Sequence, residues 1–152
     1  MLAHAAAVLT SIGLVAGTAE APPTCSVLTI EARYVDVPEA SILFEVRSGQ
    51  PCTMYEADLP WGNFYSITAT VRDASGKVCQ RLTAPIDDPG DTVVNLKPGE
   101  VTKGRVPLAP HCATFAALVA KGPVTVEWQY TAVHRRTNSE RAKGRIVVPR
   151  QR

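Results

Sequence analysis

The chain has 152 residues, 45% of them hydrophobic and 20% charged, with a formal net charge of +2. That length fits one domain, and the absence of an internal repeat, low-complexity tract or interdomain linker excludes a repeat array or a multidomain chain. The small net charge hides an asymmetry: up to Val133 there are nine basic against thirteen acidic residues, and from His134 onward seven basic residues face Glu140 alone.

Residues 2–17 carry no Asp, Glu, Lys or Arg and run into Gly17-Thr18-Ala19-Glu20-Ala21. An apolar run followed by small residues has the order of a secretory signal, although the start lacks a Lys or Arg. Residues 1–19 are therefore expected to be a signal peptide. Cleavage falls after Ala19, or after Ala21 at the cost of placing Pro22 just beyond the cut. A retained anchor would need about 20 apolar residues, and this run is shorter. Residues 20–152 then form a single exported domain, periplasmic or secreted, with no membrane span in the mature chain.

Cys25, Cys52, Cys79 and Cys112 lie 27, 27 and 33 residues apart. None has the C-x-x-C spacing of zinc or thiol-redox motifs. An even number of widely spaced cysteines in an exported chain reads as two structural disulfides, and their pairing is left open by the sequence.

Two-residue alternation dominates the chain beyond Cys25, as half-buried strands require. It runs through Leu28–Tyr34, through Ile42, Phe44 and Val46 (with Leu43 on the polar side), and through Tyr65, Ile67, Ala69 and Val71. Asp73-Ala74-Ser75-Gly76-Lys77 is a turn, from which Val78–Leu82 should return as a hairpin arm. Val93–Leu96 leads into Lys97-Pro98-Gly99-Glu100, with Pro and Gly at type II turn positions. Val124, Val126, Trp128 and Tyr130 alternate most cleanly, and Arg145–Val148 closes the chain. One segment differs: residues 110–121 contain good helix formers and end at Gly122-Pro123. Cys112, Phe115 and Val119 would share one face of that helix. The predicted fold is all-β, an antiparallel β-sandwich with one short helix near 110–121.

These strands, with Leu96-Lys97-Pro98-Gly99-Glu100 and Gly104-Arg105-Val106-Pro107-Leu108, resemble bacterial immunoglobulin-like β-sandwich modules. Some of those accompany or inhibit secreted peptidases. The resemblance implies an immunoglobulin-like fold and permits an inhibitor role, but carries over no functional residue. Trp128 is not followed by any cysteine, so the Cys-Trp-Cys order of true immunoglobulin domains is absent.

No catalytic residue stands out. There is no G-x-S-x-G, and His111 and His134 read as surface or helix-end residues without a nucleophile beside them. A blue-copper site would need two His, a Cys and usually a Met. His111, Cys112, His134 and Met54 lack the spacing, and Cys112 is wanted for a disulfide. Asp87, Asp88 and Asp91 read as a solvated turn rather than a calcium loop. No cofactor or metal is implied, and the chain does not read as an enzyme.

Two surfaces remain as candidates for partner binding. One is the basic end, Arg135, Arg136, Arg141 and Lys143, whose bland alternative is a charged hairpin protecting a sheet edge. The other is the aromatic loop with Tyr55 and Trp61, whose alternative is strand-end packing by Tyr55 and Phe64 with Trp61 as a cover. The sequence thus points to an exported, non-catalytic binding module, inhibitor-like in one version. Its partner would be another extracytoplasmic protein or an anionic envelope component; nucleic acid is the least suited. A structural or assembly component of the cell envelope is the alternative, and a small metal-binding protein or enzyme the third.

Overall fold

A computed structural model describes Cys25 and residues 28–83, 90–132 and 142–151. Eight strands alternate with turns: β1 (Leu28–Val35), β2 (Ser41–Ser48), β3 (Cys52–Tyr55), β4 (Ile67–Arg72), β5 (Val93–Leu96), β6 (Val101–Pro107), β7 (Val124–Tyr130) and β8 (Lys143–Val148). A 3-10 turn spans Glu56–Asp58, and the one α-helix among the described residues, α1, spans Phe115–Lys121. The strands form antiparallel sheets in the orders β1-β2-β6, β3-β5 and β4-β7-β8. The fold is all-β with one short helix.

Period-two alternation decides which side chains enter the core. Ile42 and Phe44 of β2, Ile67, Ala69 and Val71 of β4, and Val124, Val126, Trp128 and Tyr130 of β7 join one buried cluster. The two three-stranded sheets therefore share their apolar faces. At their centre the Phe44 ring meets Trp128 edge-on, with ring centroids 5.1 Å apart. A second cluster holds Cys25, Val46, Cys52, Met54, Leu59 and Leu96, with Ile30 and Trp61 packed against both.

Both tryptophans need a glycine. Gly104 faces Phe44 across β2 and β6, and a Cβ there would overlap the Trp61 indole. Gly144 faces Trp128 across β7 and β8, and its Cβ would stand 2.6 Å from Trp128 Cζ2. Each indole lies where a strand residue has surrendered its side chain.

Cys25 pairs with Cys52 and Cys79 with Cys112, so none of the four cysteines is free. Such bridges belong to an oxidising, extracytoplasmic setting. Among the described residues no helix is long and apolar enough to cross a membrane.

Several expectations change in detail. The Asp73 turn forms: Asp73 Oδ1 accepts hydrogen bonds from the Ser75 and Lys77 amides, and Gly76 takes φ +85°. These bonds, led by that of the Ser75 hydroxyl, hold the Asp73 carboxyl below its ordinary range. The returning arm, however, is not a strand. Only Arg72 and Val78 form a bridge, after which Cys79 is drawn to Cys112 and the Leu82 amide bonds to Pro110 O. Strand β4 begins at Ile67, leaving Tyr65 exposed. The helix starts at Phe115 rather than near 110, because Pro110 through Thr114 form turns closed by the Cys112 amide on Leu108 O. Cys112 precedes the helix, yet it is buried beside Phe115 and Val119. Residues 1–24 and the expected signal peptide lie outside the described residues.

Candidate functional site

The outer faces of the two three-stranded sheets both carry charged side chains, arranged differently. On the β1-β2-β6 face, Arg47 lies 3.2 Å from Glu31 and 3.4 Å from Glu45, and Lys103 lies 3.0 Å from Glu45. The Glu45 carboxyl is held below its ordinary range, chiefly by the Lys103 hydrogen bond. Leu43, the apolar residue on this polar side, is covered to 9% exposure.

That face also carries Arg33 and Arg105, which form no ion pair among the described residues, whereas the β4-β7-β8 face sets two such cations side by side along a groove. The register of β4, β7 and β8 lays out the rows Thr68-Gln129-Lys143 and Thr70-Glu127-Arg145. These six side chains line a groove of about 530 Å³, with Trp128 and Gly144 at its floor. Its single carboxylate among the described residues, Glu127, lies 3.2 Å from Arg72 Nε, one row further on. Neither Lys143 nor Arg145 forms an ion pair among the described residues. The groove therefore offers two uncommitted cations beside hydroxyl and amide groups able to donate or accept hydrogen bonds.

Lys143, a candidate from sequence, thus opens the groove at the start of β8. Arg135, Arg136 and Arg141 lie outside the described residues, as do His134, Asp87 and Asp88. Arg145 belongs to the basic end but is not among the candidates that sequence singles out. The signal is there, since residues two apart on a strand point to the same face. Arg150 is drawn away, its Nε donating to Ala120 O of α1. Thr68, Thr70 and Gln129 are invisible as binding residues in sequence, because only strand register brings them beside Lys143.

The aromatic loop goes elsewhere. Tyr55 ends β3 half-buried, and half-buried Trp61 covers Gly104. Phe64 stacks on His111, with centroids 5.1 Å apart and planes 2° from parallel. The Arg81 guanidinium carbon lies 4.4 Å from the Phe64 centroid. His111 is only 2% exposed, which corrects the expectation of a surface or helix-end residue. Its Nδ1 is the one buried side-chain nitrogen or oxygen without a hydrogen-bond partner among the described residues. Burial, with a smaller contribution from Arg81, pushes the imidazole pKa from 6.5 down to about 4.

This has a definite pH consequence. A histidine whose pKa is depressed by folding stabilises the fold above its unfolded value, and that contribution is lost as pH falls from 6.5 towards 4. His111 alone should remove up to about 3 kcal/mol over that window. Urea unfolding at both ends of the window, for the wild type and His111→Phe, checks it. The variant should lose less stability on acidification, and an identical loss in both proteins would count against the assignment.

No protein-family model, no curated protein and no solved structure matches the chain.

Proposed function

We propose that the chain is an exported, non-catalytic binding module that holds an anionic polymer of the cell envelope in the groove on the β4-β7-β8 face. The observation that carries this reading is the pair of uncommitted cations, Lys143 and Arg145, in the groove of about 530 Å³. The hydrogen-bonding side chains between them suit a hydrated, negatively charged chain better than an apolar protein surface. The fold is read as an immunoglobulin-like β-sandwich, supported by the shared core of the two three-stranded sheets. Export is supported by the two disulfides and by the leader-like first residues.

Both cations are exposed, so reversing their charge leaves the core untouched. Poly(glycerol phosphate) and polygalacturonate are suitable probes, with neutral dextran as control. The wild type should bind at least one polyanion at about 50 mM salt and more weakly at about 200 mM. The double variant Lys143→Glu/Arg145→Glu should bind about tenfold more weakly or worse, as loss of charge-assisted hydrogen bonds implies. Equal binding by the double variant, or no polyanion binding by the wild type, would sink the proposal.

A further inference from the structure

A second, smaller cavity lies away from the groove, where the loop ending at Phe64 meets the end of β6 and the turn before α1. It measures about 200 Å³, smaller than the roughly 300–1,000 Å³ of sites for drug-sized ligands and nearer the bulk of one amino-acid side chain. Trp61, Phe64, Pro107 and Pro110 supply apolar walls, and Arg105 and His111 stand among them. Proline and stacked aromatic walls lose little freedom when a ligand enters, so the cavity is preorganised.

Its charge is one-sided. Among the described residues no carboxylate lines it. Arg105 donates one guanidinium N–H to Val37 O, which fixes the side chain, and forms no ion pair among the described residues. Arg81 adds a second positive charge against Phe64. His111, whose Nδ1 lacks a partner, completes the wall. A buried polar atom left unsatisfied calls for an explanation, and this one occurs at a cavity beside two cations, Arg81 and Arg105, that form no ion pair among the described residues.

An occupant must therefore join an apolar body to a negative group within the bulk of one residue. An internal Asp or Glu lacks the apolar body, and an internal Phe or Leu lacks the charge. A chain-terminal apolar residue has both. We propose that this cavity holds the C-terminal residue of a partner polypeptide, its side chain between Trp61, Phe64 and the two prolines and its carboxylate at Arg105. Terminal carboxylate capture is an established mode of peptide recognition, and it is independent of the groove.

Short synthetic peptides ending in Phe, Leu or Val, each as free acid and as C-terminal amide, test the proposal on the full chain by NMR titration. At least one free acid should saturate with a Kd of about 1 mM or tighter and shift the Trp61 and Phe64 ring resonances. Its amide should bind about tenfold more weakly or worse, because the charge-assisted hydrogen bond is gone. Arg105→Gln should show a comparable loss for the acid and little for the amide. If that variant fails to fold for want of its bond to Val37 O, the acid–amide comparison on the wild type still decides. No saturation by any acid, or equal binding of acid and amide, overturns the proposal.

Discussion

Replacing the Cys79–Cys112 pair, as Cys79→Ser/Cys112→Ala, is expected to lower the unfolding free energy by about 4 kcal/mol in urea titrations. The two cysteines are 33 residues apart, and closing a loop of that size in the unfolded chain is worth about 3.7 kcal/mol on the chain-entropy account. Local structure argues in the same direction. Helix α1 has seven residues, far below the roughly 12–15 at which an isolated helix becomes even marginal in water. Beyond the Arg72–Val78 bridge, the chain is held by the disulfide and by backbone bonds of the Cys79 and Leu82 amides. Hydrogen exchange should therefore accelerate first at Leu118 and Leu82. A loss below about 1 kcal/mol would show that packing of Phe115 and Val119, rather than the bridge, fixes the helix.

Phe44→Ala should cost a similar amount, about 4 kcal/mol or more, in the upper half of the range for an aromatic truncation in a core. Phe44 is fully buried on β2, the central strand of its sheet. Its cross-strand neighbours are Ala32 on β1 and Gly104 on β6. Neither has atoms to move into the space left by the ring, and the edge-on contact with Trp128 is lost as well. Trp61 already occupies the room above Gly104. The cavity should therefore persist, which is the condition under which truncation costs most. Urea unfolding gives the number, and near-UV circular dichroism should report the loss of asymmetry around Trp128. A cost under about 2 kcal/mol would mean that the sheets close over the gap.

How much of the fold and the groove is legible in the sequence depends on whether a residue's fate is set locally. Strand β7 is readable because Val124, Val126, Trp128 and Tyr130 face one core and the residues between them face out. Strand β3 is not. It has four residues, too few for a pattern, and it exists because β5 pairs with it from some forty residues away. The Val78–Leu82 arm looks like a strand, but a disulfide overrides its alternation. His111 looks like a helix-end residue, because nothing local reveals that Phe64 stacks on it. The groove follows the same division. The basic end is visible in composition, whereas its alignment with Thr68, Thr70 and Gln129 needs a register that no single segment encodes.

The Cys25–Cys52 bridge also determines how the domain carries mechanical load. Strand β1 is at the edge of its sheet, and an edge strand pulled from its end can be unzipped one hydrogen-bonded pair at a time. Tension applied ahead of Cys25 does not reach it, because the bridge passes the force directly to the start of β3. The 27-residue interval holding β1 and β2 is excluded from extension, a hidden contour length of roughly 95 Å at full stretch. While the sulfurs stay joined, the β1-β2 hairpin is a spectator to traction on that side, and the load falls on the β3-β5 pair and the small cluster beneath it.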